Sequence, residues 1–250
     1  REHPNQQPCI YDDMSEDRPG FTDTPFLPDC DYRVHDPSRP HPPTVTPAGP
    51  VTQPPPGDAT VLFDGTGLTG WEAVDGGDPG WTVTDGELIV EPGTGDIRTT
   101  DRLGDCQLHI EWATPADPGD AEYPGNSGVF LADRYELQIL DCSATTIYAD
   151  GWVGAIYGQH PPAVDACLPS GAWQSFDIVW RRPRFDGDTL VSPARVTVLH
   201  NGVVIQQATE PFGPTTYRDY HGYESHGPAP LRLQDHEFPV RFRNIWYRSL

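Results

Sequence analysis

From residue 59 onward, hydrophobic and polar positions alternate in short runs that are separated by Gly, Pro, Asn and Asp. Successive side chains of a strand point to opposite faces, so this alternation predicts half-buried β-strands. No long segment has the periodicity of a helix. The clearest runs predict strands at 107–113, 127–131, 135–140, 174–180, 231–234 and 240–249.

Two dipeptides predict tight hairpins. Asp85-Gly86 separates the runs 81–84 and 87–90, and Asn201-Gly202 separates 195–200 from 203–206. Both dipeptides suit two-residue turns that need positive φ. Regularly spaced short strands with such turns are typical of an antiparallel β-sandwich, which often reaches 200–250 residues as one domain.

The first 58 residues lack this alternation. Proline is frequent there, above all between 37 and 56, and favours an extended polyproline conformation. We interpret 1–58 as an arm and 59–250 as the sandwich domain. The arm would dock on the domain, clasp a second copy in a homo-oligomer, or act as a flexible linker.

The charge of the chain excludes some partners. It carries 37 acidic and 16 basic residues, and all the basic residues are Arg, for a formal net charge of -21. Such a field repels phosphate backbones and anionic lipids, so nucleic acid is not an expected partner. No run of 18 apolar residues occurs, which predicts no membrane span.

The five cysteines indicate an oxidising compartment, so we expect a secreted, cell-surface or periplasmic protein. We expect the disulfides Cys142–Cys167 and Cys9–Cys30. Cys106 shares its parity with apolar neighbours and is predicted to be a buried, unreactive thiol. No CxxC or His-rich spacing indicates zinc.

The first candidate for chemistry is the run 135–141. Strand alternation places Glu136 and Gln138 on one face, and a bulge would bring Asp141 to the same face. Tyr135 beside them suits stacking on a sugar ring. The alternative is a solvated strand face with no role.

The second candidate is the run 231–246, which gathers Gln234, His236, Arg241 and Asn244. His236 is a candidate general base, with Asp235 or Glu237 to orient it. No GxSxG elbow, phosphate-binding glycine loop or EF-hand pattern occurs, so no nucleotide cofactor is expected.

Taken in order, short motifs along 59–250 resemble the 3-keto-disaccharide hydrolase family. They are the segments 61–65, 70–71, 125–128, 135–138, 155–158, 171–174, 201–202, 233–236 and 240–244. The resemblance implies a concanavalin A-like jelly roll that acts on glycosides with a ketone at sugar C3.

In that chemistry the ketone acidifies the C2 proton, a base removes it, the C1 substituent is eliminated, and water adds. The resemblance implies His236 as base, with Glu136 and Asp141 as further catalytic groups. Arg241, Asn244 or a divalent cation would stabilise the enolate, and Glu136 and Asp141 are oxygen ligands suited to calcium or manganese. The expected substrate-binding residues are Tyr135, Gln138, Tyr157, Gln234, Arg241 and Asn244.

Three alternatives stay open at this stage. Glu136, Gln138 and Asp141 resemble the ExDxxE motif of laminarinase-type hydrolases, with two of its three acids changed. The same sandwich also serves non-catalytic carbohydrate-binding modules and structural or assembly proteins of the cell surface.

Overall fold

The computed structural model of the protein describes residues 19–117, 119–143 and 145–250. Over these residues the regular secondary structure is all β-strand, apart from a single 3-10 turn at Ala149–Gly151. The strands are β1 (Thr60–Phe63), β2 (Trp71–Ala73), β3 (Thr82–Thr84), β4 (Glu87–Ile89), β5 (Ile97–Thr99), β6 (Cys106–Ala113), β7 (Ser127–Leu131), β8 (Tyr135–Ile139), β9 (Gln174–Arg181), β10 (Arg184–Asp186), β11 (Thr189–Ser192), β12 (Arg195–His200), β13 (Val203–Thr209), β14 (Arg232–Leu233) and β15 (Arg241–Ser249).

The strands form two antiparallel sheets and a separate hairpin. The larger sheet has eight strands in the order β13-β12-β9-β6-β15-β4-β3, with β1 also paired to β15. The smaller has five in the order β2-β5-β14-β7-β8, and β10 pairs with β11. The predicted all-β sandwich is confirmed.

Both predicted hairpins are present. Asp85-Gly86 joins β3 to β4 and Asn201-Gly202 joins β12 to β13, and all four residues have positive φ. The Asn201 side chain also accepts a hydrogen bond from Ser175 N and donates to Ala166 O, which anchors the turn on β9.

The core lies between the sheets and follows the alternation of the strands. Leu108, Ile110 and Trp112 of β6 are fully buried in it, and Tyr135 of the smaller sheet reaches Trp180 of the larger with ring centroids 5.1 Å apart. Cys106 faces the same core, where burial raises the pKa of its thiol to about 12.

Residues before the sandwich pack on it at several points. Val45 N donates to Asp165 O at 2.7 Å, and Trp246 Nε1 donates to Gln53 O at 3.0 Å on the outer face of the larger sheet. The boundary at 58 stays a prediction, as does assembly through the arm.

The disulfide between Cys142 and Cys167 is confirmed. Cys9 lies outside the described residues, so the Cys9–Cys30 bond stays a prediction. Within the part of the chain that the structure describes, no helix is long and apolar enough to cross a membrane.

Candidate active site

A cavity of about 520 Å³ lies against the outward face of the five-stranded sheet. This volume falls in the range of about 300–1,000 Å³ that is usual for small-molecule sites. Polar side chains line one part of its wall, and aromatic side chains line much of the rest. The lining residues are Phe21, Tyr123, Asn126, Phe130, Glu136, Gln138, Ile147, Tyr148, Tyr157, Thr215, Thr216, Tyr217, Gln234 and His236.

Strand β8 positions the polar part of the wall. Leu137 and Ile139 face the core, so Glu136 and Gln138 point from the opposite face into the cavity, as the alternation predicts. The β7–β8 pairing has no register shift from Tyr135 to Ile139.

Glu136 is a buried carboxyl group in the cavity wall. Removal from water disfavours its charged form, and this burial raises its pKa to about 8, although the nearby Arg232 opposes the shift. Arg232 is itself paired with Asp96 and Asp133. Glu136 therefore holds its proton at neutral pH and can donate a hydrogen bond.

The Gln138 amide fixes that carboxyl group. With its nitrogen facing them, it donates to Ser127 O and to Glu136 Oε1, each at 3.2 Å. Gly128 lies opposite Gln138 on β7, and a Cβ there would approach Glu136 Oε1 to 2.5 Å. The carboxyl group is thus held between an amide and a glycine.

The segment after β14 supplies the remaining polar groups. Gln234 N donates to Gly128 O at 3.1 Å, and Ser127 Oγ donates to Gln234 O at 2.8 Å. Gln234 Oε1 is buried with no hydrogen-bond partner in the described structure. His236 lies at the exposed rim of the cavity.

The predicted orientation of His236 by Asp235 is not observed. The Asp235 carboxylate instead accepts hydrogen bonds from Gly95 N and Glu237 N, each at 2.9 Å. It shapes the loop that carries the imidazole.

Tyr157 lies on the aromatic part of the wall, as expected for a ligand-binding residue. Its hydroxyl is 2.9 Å from that of Tyr148, and burial raises the pKa of both groups. This pair keeps its protons at all ordinary pH values and offers hydrogen bonds rather than a base.

Two residues of the run 135–141 lie away from the cavity. Tyr135 faces the core and its hydroxyl bonds His226 Nε2 at 2.8 Å, so it does not stack on a ligand. Asp141 accepts hydrogen bonds from Thr114 Oγ1 and Ser143 N. β8 ends at Ile139, and Asp141 beyond it does not line the cavity with Glu136.

Arg241 and Asn244 also lie outside the cavity, which corrects the expectation that they face the ligand. Arg241 pairs with Glu87 at 3.1 Å, and Asn244 donates to Gln53 O and Glu111 Oε1. Both belong to β15, a strand of the other sheet, and sequence proximity to His236 did not reveal this.

The expected cation site at Glu136 and Asp141 does not fit this arrangement. Among the described residues, the one cluster of three His, Cys, Asp or Glu ligands is Cys142, Asp165 and Cys167, whose sulfurs are bonded to each other. Among the described residues that line the cavity, Glu136 carries the one carboxyl group, whereas calcium sites generally use several charged oxygens.

Sequence reasoning missed most of the aromatic wall. Phe21, Tyr123, Tyr148 and Tyr217 lie in irregular segments, where no periodicity indicates which way a side chain points. Asn126, which directly precedes β7, also lines the cavity.

Known proteins of similar sequence and fold identify the family of the chain. Three solved structures of proteins from Parabacteroides distasonis ATCC 8503 have similar folds. Each of these proteins is described by its similarity to glycosyl hydrolases. The first is 40% identical, covers 85% of this chain and 93% of its own, and has a TM-score of 0.76. The second is 22% identical, covers 77% of this chain and 94% of its own, and has a TM-score of 0.58. The third is 20% identical, covers 77% of this chain and 99% of its own, and has a TM-score of 0.52.

No curated protein is significantly similar in sequence. The model of one family, described as the 3-keto-alpha-glucoside-1,2-lyase-like domain, matches residues 58–248, which confirms the resemblance seen in the motifs. The chain therefore belongs to the 3-keto-alpha-glucoside-1,2-lyase-like family.

Proposed function

We propose that the protein is a carbohydrate-active enzyme that cleaves glycosides already oxidised to a ketone at C3. The observation that carries this proposal is a buried carboxyl group, Glu136, that is neutral at pH 7 and shares one cavity with the imidazole of His236. An acid that stays neutral in an apolar setting can donate a hydrogen bond to an enolate oxygen. Membership of the family supports the same substrate class.

The reaction proceeds in three steps. His236 takes the C2 proton, and the electrons of the C–H bond form the enolate of the C3 ketone. Collapse of the enolate restores the ketone and forms a C1–C2 double bond, while the C1 substituent leaves and takes a proton from the imidazolium. Water then adds at C1, and C2 is reprotonated.

Each polar group of the wall has a part in this scheme. Glu136 donates to the oxygen at C3, where negative charge develops, and the Gln138 amide holds Glu136 in place. The unpartnered Gln234 Oε1 accepts a hydrogen bond from a sugar hydroxyl.

The proposal is tested with a 3-keto glucoside and its unoxidised parent in deuterated water. We expect turnover of the keto substrate, deuterium at C2, and no reaction of the parent. His236→Ala should lower turnover by roughly 10²–10⁴-fold, as expected for loss of a general base. His221→Ala, at an exposed histidine outside the cavity, is the control.

Cleavage of unoxidised β-glucans without exchange at C2 would instead support a laminarinase-type reaction. Sugar binding without exchange or cleavage would support a carbohydrate-binding module. Asp141 does not line the cavity that holds Glu136, which argues against the laminarinase-type reaction, because a retaining pair needs both carboxyl groups at one site, about 5–5.5 Å apart.

The disulfide Cys142–Cys167 supports a location in an oxidising compartment. We place the enzyme outside the cytoplasm, as a secreted, cell-surface or periplasmic protein.

A further inference from the structure

Part of the cavity wall comes from outside the region that matches the family model. Phe21 lines the cavity, although the match begins at residue 58. The rings of Tyr148, Tyr217 and His35 surround it, with centroids 6.2 Å, 6.0 Å and 6.1 Å from the Phe21 ring. The N-terminal segment therefore extends the site.

Contacts of both its ring and its backbone hold Phe21 in place. The Arg218 guanidinium lies over its ring at 3.9 Å and pairs with Asp23 at 2.6 Å. Phe21 N donates to His35 O at 2.8 Å, and the preceding Gly20 has no room for a side chain, because a Cβ would approach His35 O to 2.6 Å.

A buried pair fastens this segment to the sandwich. His35 and Asp150 are both fully buried, and the carboxylate accepts the His35 backbone N–H at 2.9 Å and contacts Nδ1 at 3.2 Å. The His35 ring stacks on Tyr148 at 3.8 Å and lies 4.9 Å from Tyr157. Its Nε2 has no hydrogen-bond partner in the described structure.

The two parts of the wall suit different parts of a glycoside. The sugar that reacts must contact Glu136 and His236, which lie in the polar part. The cavity, at about 520 Å³, is larger than one sugar ring needs, and the remaining wall is aromatic. Aromatic faces bind the apolar faces of sugar and aryl rings.

We propose that the N-terminal segment completes the cavity with a subsite for the ring of the leaving group, formed by Phe21 and Tyr217. His35 is a positioning residue, which holds Tyr148 and Phe21 through its stacking and its bond to Asp150. The subsite takes a cyclic C1 substituent, either a second sugar or an aryl group. The inference rests on the proposed function, since that function decides which ring leaves.

The test compares two 3-keto glucosides that differ in the leaving group, phenol in one and methanol in the other. We expect Phe21→Ala and Tyr217→Ala to lower the kcat/KM ratio of the phenyl to the methyl substrate by roughly tenfold, the size of one aromatic contact. Phe26→Ala is the matched control, because Phe26 lies in the same segment, is 53% exposed and does not line the cavity. It should leave the ratio unchanged.

His35→Asn tests the positioning role. If the variant folds, we expect KM for the phenyl substrate to rise. The kcat for the methyl substrate should change by a smaller factor than this KM. If it does not fold, Tyr217→Ala still decides, because the Tyr217 side chain is 64% exposed. An unchanged ratio in Phe21→Ala and Tyr217→Ala, or an equal loss for both substrates, overturns the subsite.

Failure of the proposed function would look different. Wild-type protein would then turn over neither substrate, and the subsite would be measured by calorimetry with unoxidised phenyl and methyl glucosides. Tighter binding of the phenyl glucoside that is lost in Phe21→Ala supports the subsite even so, and equal affinities overturn it.

Discussion

Glu136 shows how far the setting of one residue can change its chemistry. An exposed glutamate is charged at neutral pH, whereas this one is enclosed by Gln138, Gly128 and the cavity wall and has a pKa of about 8. In the proposed reaction its neutral form is the active one. The direction in which activity changes with pH therefore tests its role.

We expect kcat/KM for a 3-keto glucoside to fall as the pH rises through about 8, because Glu136 then loses its proton. Glu136→Gln keeps a hydrogen-bond donor but cannot ionise, so this alkaline limb should disappear. Glu136→Ala removes the donor and should cost roughly 10²–10³-fold in kcat. A rate that instead rises through pH 8 and is abolished in Glu136→Gln would make Glu136 the base.

The same pKa shift affects stability without reference to activity. Above pH 4.5 the folded chain keeps a proton on Glu136 that the unfolded chain releases. The stability that Glu136 contributes is therefore complete below a pH of about 4.5 and is lost as the pH rises through about 8. Thermal unfolding should therefore show wild type losing stability relative to Glu136→Gln across this interval.

At the scale of elements, the site depends on how closely β7 and β8 pack. Gly128 stands opposite Gln138, and its missing side chain leaves the space that the Glu136 carboxyl group occupies. The position of the Glu136 carboxyl group therefore depends on the pairing of β7 with β8 as well as on β8 itself.

Gly128→Ala should displace the Glu136 carboxyl group, because a new Cβ would also come within 2.9 Å of the Phe130 ring. We expect turnover to fall at least tenfold, with a loss of stability of roughly 1–3 kcal/mol as for other overpacked sites. Gly104→Ala is the control, since no atom of the described residues lies within 4 Å of a Cβ built there. Equal activity of the two variants would show that Glu136 is free to move.

At the scale of the whole molecule, long irregular segments are held on a rigid sandwich. The loop closed by Cys142–Cys167 carries Ile147, Tyr148 and Tyr157 into the cavity. The disulfide therefore constrains a segment that strand pairing alone does not.

Replacing Cys142 and Cys167 together by Ser should lower the free energy of unfolding by about 3.5 kcal/mol, the value expected for a loop of this length. The bond spans 25 residues, and denaturant unfolding at equal pH measures the loss. Labelling of unfolded, unreduced wild type should find one thiol, Cys106, and more than one would contradict the predicted Cys9–Cys30 bond. No change in stability would mean that other contacts already order the loop.

The sequence by itself determined the sandwich, both hairpins, the buried Cys106 and the face of β8 that carries Glu136 and Gln138. These follow from local rules, since alternation assigns strand faces and Asx-Gly dipeptides assign turns. Its motifs also indicated Gln234, His236 and Tyr157 as candidate site residues.

Only the tertiary structure decided which of those residues meet. Asp141, Arg241 and Asn244 are close to the site in sequence, yet Asp141 lies beyond the end of β8 and bonds Thr114 and Ser143, and β15 lies in the other sheet. Phe21, Tyr148 and Tyr217 are distant in sequence and meet in one wall. Contacts between irregular segments depend on the packing of the whole chain, and no periodicity in the sequence encodes them.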